Sequence, residues 1–178
     1  MRSDIAISVF GEYKQEVGGG LYETAEEVGR LIAERGWTLV NGGYSGSMEA
    51  SARGAKAAGG RTIGVTCGVF SRTPNRYMDE TVHTNDLYER LRVLLERGDG
   101  FVALPGATGT LAEVAMVWEF LAKRMMAPKP MALLGAFWQP LFDMLVPRPG
   151  AKAEAGGLVR VVASPADAID MLSRFLTE

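Results

Sequence analysis

A chain of 178 residues with 47% hydrophobic and 22% charged residues reads as one globular domain with a sizeable core. A net charge of −2 leaves no basic footprint, which argues against nucleic acid as the main partner. One cysteine, Cys67, excludes an internal disulfide, one histidine, His83, leaves little for a histidine-based metal site, and no apolar run suits a signal peptide or a membrane span; the expected compartment is the cytoplasm, with no membrane contact.

Ile5–Phe10 (IAISVF) reads as a buried strand, left through Gly11-Glu12-Tyr13-Lys14. Gly18-Gly19-Gly20 leads into a helix whose Leu21, Ala25, Val28 and Ile32 recur at helical spacing, and Gly36 stops it. Trp37–Val40 is a second strand, and Asn41-Gly42-Gly43-Tyr44-Ser45-Gly46-Ser47 a glycine-rich turn. A small-residue helix from Met48 to Ala58 ends at Gly59-Gly60, and Thr62–Val65 is a third strand. Thr66–Asn85 reads as a long, partly mobile loop over a site.

Asp86–Arg97 reads as a helix that turns Leu87, Leu91, Leu94 and Leu95 inward, followed by a strand at Gly100–Leu104. A helix at Leu111–Lys123 carries Val114, Val117, Trp118 and Leu121 on one face and stops before Pro128 and Pro130. Met131–Leu134 is a strand, Phe137–Leu145 a short helix, Val146–Gly157 a loop and Val159–Ala163 a sixth strand. Ser164-Pro165-Ala166-Asp167 supplies an N-cap, a proline at the first position and an acid in the first turn of the last helix. Strands that alternate with helices predict an α/β fold: a Rossmann-like, doubly wound parallel sheet in three layers, α/β/α, in a single domain over residues 1–178. Ligands of such sheets bind at the carboxyl ends of the strands, where the glycine turns fall.

The most informative stretch is Phe101–Glu113 (FVALPGATGTLAE): strand, glycine-rich turn, helix start. Gly106, Ala107, Thr108, Gly109 and Thr110 allow a close backbone approach, and free N–H groups at the helix start face an anion, which points to phosphate. A plainer reading stands beside it, since Thr110-x-x-Glu113 also fits a capping box. The first turn lacks the dinucleotide fingerprint, and the second strand ends in Asn41 where an acid for the ribose is expected. Neither glycine turn continues as a P-loop, and no serine sits in a nucleophile elbow. Ser45 has the wrong glycine spacing for one, and Cys67 reads as a packing residue.

Several stretches together resemble one family, the LOG family, formerly labelled possible lysine decarboxylases. Its P-G-G-x-G-T-x-x-E pattern looks like Pro105–Glu113, its upstream arginine falls on Arg90, and its G-G-x-x-G-L-M-G turn looks like Asn41–Glu49. Residues 31–36 and 58–65 also resemble family segments, so that the similarity covers roughly residues 5–145. The sequence departs from the pattern at Ala107, at Leu91 where a lysine is usual, at Met116 where an acid is usual, and at Phe10-Gly11-Glu12-Tyr13 in place of a serine-bearing turn.

The resemblance implies a nucleoside 5′-monophosphate phosphoribohydrolase that releases free base and ribose 5-phosphate from a cytokinin-nucleotide or AMP-like substrate. It implies Arg90 and Glu113 as catalytic residues, and Gly42, Gly43, Ser45, Gly46, Met48 and Gly106 to Thr110 as substrate- and phosphate-binding residues. No metal and no cofactor are expected; pyridoxal phosphate needs a Schiff-base lysine, and only Lys14 approaches a site turn. The alternatives are a non-catalytic nucleotide-binding or molybdenum-cofactor carrier protein of the same fold, and an assembly protein whose glycine turns serve packing. Met116, Trp118, Phe120, Met125 and Met126 exceed what one helix face buries, and a homodimer is expected to cover part of them.

Overall fold

The structure, a computed structural model, describes residues 5–14, 17–148 and 157–177. In chain order the elements are β1 (Ala6–Phe10), α1 (Gly20–Glu34), β2 (Thr38–Asn41), α2 (Ser47–Ala57), β3 (Thr62–Cys67) and β4 (Glu80–Thr84). They continue with α3 (Leu87–Arg97), β5 (Gly100–Ala103), α4 (Thr108–Ala122), β6 (Met131–Leu134), a 3₁₀ turn (Ala136–Trp138), α5 (Gln139–Leu145), β7 (Val159–Val162) and α6 (Pro165–Leu176).

The strands form one parallel sheet in the order β4-β3-β2-β1-β5-β6-β7. The chain therefore winds outward from β1 in one direction, then restarts at β5 and winds outward in the other. The direction reverses between β1 and β5, where Phe10 pairs with Ala103 at the carboxyl ends. A crevice opens at such a reversal because the connections from the two strands leave toward opposite faces.

Alternate strand residues serve the two faces, as the period of two requires. Ile7, Val9, Leu39, Val102, Leu104, Ala132 and Leu134 pack under α1, α2 and α6. Phe10, Val40, Ile63, Val65, Phe101, Ala103, Met131 and Leu133 pack under α3, α4 and the Trp138 turn. Buried on both sides, the strands read as near-continuous apolar runs, which is why most of them are visible in the sequence. Gly29 and Gly54 let α1 and α2 touch, since a Cβ at either would overlap the backbone of the other helix. No helix among the described residues is long and apolar enough to cross a membrane.

The expected doubly wound fold is present, with local corrections. Thr66–Asn85 is not wholly irregular, for β4 lies within it and pairs with β3 from Ile63↔Glu80 to Cys67↔Thr84. It is an edge strand in which only Val82 is a large aliphatic residue, so it gives no apolar run. Leu87 and Leu21 are not inward; they are 45% and 40% exposed, and Tyr22 takes the core position beside Leu21. Helix α4 begins at Thr108, a turn earlier than Leu111. Most of the Val146–Gly157 loop lies outside the described residues. The last helix carries the expected cap, with the Ser164 hydroxyl accepting from the Asp167 N–H and the Asp167 carboxylate accepting from the Ser164 N–H.

Candidate functional site

At the reversal point the carboxyl ends of β1, β2, β3 and β5 and the starts of α3 and α4 enclose a cavity of about 280 Å³. Its base is a buried ion pair. Arg90, one turn into α3, and Glu113, one turn into α4, are each 8% exposed. Arg90 Nη1 lies 3.9 Å from Glu113 Oε1.

The sheet's own backbone holds Arg90 in place. Its Nε donates to the carbonyl of Val65 at 2.9 Å and its Nη2 to the carbonyl of Gly42 at 3.4 Å. Helix α3 reaches that position because Asp86 caps it, accepting from the Glu89 N–H at 2.8 Å. Gly42 is a glycine for a local reason: a Cβ there would overlap the guanidinium of Arg90. Burial pushes the Glu113 carboxyl up to about 7, a rise that the Arg90 charge only partly offsets.

Helix α4 begins with Ala107 as its N-cap, and no side chain caps it. The first N–H to bond within the helix is that of Leu111, to the Ala107 carbonyl at 3.0 Å. The N–H groups of Thr108, Gly109 and Thr110 precede it and are the orphan donors of the helix start. All three residues line the cavity. The capping box does not form, because Glu113 lies beyond the first turn and faces Arg90 instead. The departure at Ala107 costs no backbone strain, as its φ of −90° is open to any residue. At Gly109 a Cβ would meet nothing within 4 Å, whereas at Gly106 it would overlap Thr110.

The glycine turn after β2 is built differently. Asn41 is fully buried; it donates to the Met48 carbonyl at 2.8 Å and to Ser51 Oγ at 3.0 Å, and accepts from the Gly43 N–H at 2.8 Å. Its amide thus organises the turn where a dinucleotide site would carry an acid. The Ser47 N–H donates to the Glu12 carbonyl at 2.9 Å, and the Ser45 hydroxyl to the Tyr13 carbonyl at 3.2 Å. Gly46, at φ +69°, lies directly against the Tyr13 backbone. The start of α2 is therefore occupied by the connection leaving β1.

Of the residues singled out in the sequence, Arg90, Glu113, Gly42, Met48, Ala107, Thr108, Gly109 and Thr110 line the cavity. Gly43, Ser45, Gly46 and Gly106 do not; they shape the turns behind it. Sequence reasoning missed Tyr44, Phe70, Arg72, Leu87 and Leu91 as lining residues, and gave Glu12 and Tyr13 no role. The aromatic and basic residues of G-V-F-S-R, within a segment expected to lie over a site, were the available signal. Cys67 is buried, its N–H donating to the Tyr44 hydroxyl at 2.8 Å, and His83 sits on β4 away from the cavity. No lysine among the described residues lines the cavity, and no group of three or more metal-binding side chains occurs among them.

Residues 4–135 match the model of the SLOG cluster4 family. A Mycobacterium tuberculosis protein named cytokinin riboside 5′-monophosphate phosphoribohydrolase is 43% identical over 101 residues, which are 55% of this chain and 54% of that one. The match thus spans about half the length of that curated relative. Among solved structures, the molybdenum cofactor binding protein of Rippkaea orientalis is 27% identical with a TM-score of 0.79 over 99% of each chain. The molybdenum cofactor carrier protein of Chlamydomonas reinhardtii is 30% identical with a TM-score of 0.77 over 98% of this chain and 99% of that one. With its family model matched over most of its length, the chain belongs to the SLOG cluster4 family, the LOG-type group whose motifs its sequence carries.

Proposed function

We propose that this protein is a phosphoribohydrolase that hydrolyses the N-glycosidic bond of a nucleoside 5′-monophosphate of AMP-like or cytokinin-nucleotide type. The observation that carries the reading is the buried Arg90–Glu113 pair beside an uncapped helix start at the strand-order reversal. The N–H groups of Thr108, Gly109 and Thr110 hold the 5′-phosphate, and the helix dipole favours its charge. The ribose then lies over Glu113. As the bond between the anomeric carbon and the base nitrogen breaks, the sugar acquires oxocarbenium character, which a carboxylate stabilises. Glu113 takes a proton from water, the water oxygen bonds to the anomeric carbon, and the base leaves with the bonding electron pair and takes up a proton from solvent, to which Glu113 returns its own. Arg90, held by two backbone carbonyls, orients Glu113 and favours its ionised form.

The named phosphoribohydrolase among the relatives supports this reading. A homodimer belongs to it: Met125 is 65% exposed, and Met116, Phe120 and Met126 are half-buried, leaving apolar surface on and just beyond α4. The test is incubation of the purified protein with a panel of nucleoside 5′-monophosphates and chromatographic detection of free base. Release from at least one is the expected result, and no release from any member overturns the proposal.

A second reading is favoured by the full-length likeness to molybdenum-cofactor-binding structures and by Leu91, which puts an apolar wall beside Arg90. A carrier of a nucleotide or of the cofactor would show saturable thermal stabilisation by its cargo with no base released in the same panel.

A further inference from the structure

The far wall of the cavity is aromatic, and the proposed chemistry does not use it. The guanidinium carbon of Arg72 stands 3.9 Å from the centre of the Tyr13 ring, a stacking distance. Phe70 and Tyr44 lie 5.3 and 5.9 Å from the same guanidinium. The two partners come from separate connections, Tyr13 after β1 and Arg72 between β3 and β4. Both are exposed and both line the cavity.

The segment that bears Arg72 is anchored where it crosses the glycine turn. The Asn75 N–H donates to the Gly43 carbonyl and its side-chain amide to the Tyr44 carbonyl, both at 2.8 Å. Arg72 is turned back toward the cavity by its own N–H, which donates to the Phe70 carbonyl at 2.8 Å.

The sheet sets the spacing. Helix α4 starts above β5, and the aromatic wall stands above β1, β2 and β3. Two strand spacings, roughly 10 Å, separate β5 from β2. Phosphate at the start of α4 and ribose over Glu113 leave the base extending toward the wall.

Resting on the nucleotide reading above, we infer that Tyr13 and Arg72 form the base-recognition wall of this site, on which a planar aromatic base stacks. Stacked on each other, the phenol ring and the guanidinium leave the outer face of the pair flat for such a base, and the guanidinium adds in-plane donors for ring acceptors. The wall selects aromatic bases over the bare sugar phosphate.

The test is isothermal titration calorimetry of the full chain with AMP and with ribose 5-phosphate, every protein titrated in the Glu113→Gln background so that AMP is not consumed. It compares the wild-type wall with Tyr13→Ala, Tyr13→Phe, Arg72→Ala and Arg72→Lys. Wild type is expected to bind AMP more tightly than ribose 5-phosphate. Tyr13→Ala and Arg72→Ala lower AMP affinity about tenfold or more, the order of one base–aromatic stack, and leave ribose 5-phosphate affinity unchanged. Tyr13→Phe keeps the face and the affinity. Arg72→Lys keeps the charge, loses the plane, and binds AMP nearly as poorly as Arg72→Ala.

Equal loss for both ligands in Arg72→Ala overturns the inference and makes Arg72 a phosphate counter-charge. No loss for either overturns it as well. Wild type binding both ligands equally would end the base wall while leaving the phosphate site standing. Binding of neither would end both readings.

Discussion

Arg90 and Glu113 come within 3.9 Å of each other while each is almost wholly buried, and neither is hydrogen-bonded to the other. The arginine is anchored by the carbonyls of Val65 and Gly42, and the carboxylate is left with charge attraction alone. That asymmetry fixes one partner and leaves the other available to a substrate. Glu113→Gln removes the ionisable group at nearly constant shape. Release of free base is expected to fall about 10²- to 10⁴-fold, with AMP affinity within a few-fold of wild type. Quantifying base release and calorimetric affinity side by side checks this; a variant with unchanged turnover would reduce Glu113 to a packing residue.

The pH dependence follows from the same carboxyl, raised to about 7 from an ordinary 4.5. The ionised form is the catalytic one, so kcat/KM is expected to fall roughly tenfold per pH unit below about 7. The stability effect has its own sign. Between pH 4.5 and 7 the folded protein retains a proton that the unfolded chain has released, so this group's contribution is lost as pH rises. From pH 5 to pH 8, Glu113→Gln should therefore gain about 2 to 3 kcal/mol in stability relative to wild type. Urea denaturation of both proteins at the two pH values measures the difference, and a constant offset would contradict the shift.

Two glycines make opposite predictions. At Gly42 a methyl group collides with the Arg90 guanidinium, so Gly42→Ala should cost about 10²-fold in turnover by displacing it. At Gly109 a methyl group meets no protein atom. Gly109→Ala should leave the protein as stable as wild type or more stable by about 0.5 kcal/mol, while AMP affinity drops roughly tenfold as the anion is held off the helix start. Thermal melts and calorimetry on both variants separate the two effects.

Asn41→Ala strands the Gly43 N–H, which the side chain satisfies in a fully buried position, and removes one of the donors to the Met48 carbonyl, which keeps the Ser51 hydroxyl. A loss of about 2 to 3 kcal/mol is expected in chemical denaturation. Activity should fall as well, since the turn that carries Gly42 and receives Arg90 loses its tie.

Six of the seven strands were legible: the five inner ones because strands buried on both faces have to be apolar throughout, as Ile5–Phe10 and Met131–Leu134 nearly are, and the edge strand β7 because Val159, Val161 and Val162 still make an apolar run. Strand β4 was not, because Glu80-Thr81-Val82-His83-Thr84 at the sheet edge has no apolar run to show. In the cavity, motif spacing led to Arg90, Glu113 and the start of α4. It did not distinguish glycines that open a space from glycines that fill one: Gly109 faces a void, whereas Gly46 and Gly106 are packed against Tyr13 and Thr110. Tyr13, Phe70 and Arg72 were hidden for another reason, since they meet only when two distant connections converge above the sheet.

The polar character that concealed β4 has a benefit for the molecule in concentrated solution. An outermost strand leaves a row of backbone donors and acceptors open to any passing chain, and a flat apolar rim would invite neighbours to extend the sheet. Here Glu80 is engaged by Arg61 at 2.8 Å and approached by Arg97 at 3.6 Å, so whatever docks along that rim has first to strip water from ions. The side of the protein farthest from β7 is thereby protected against fibre-like growth.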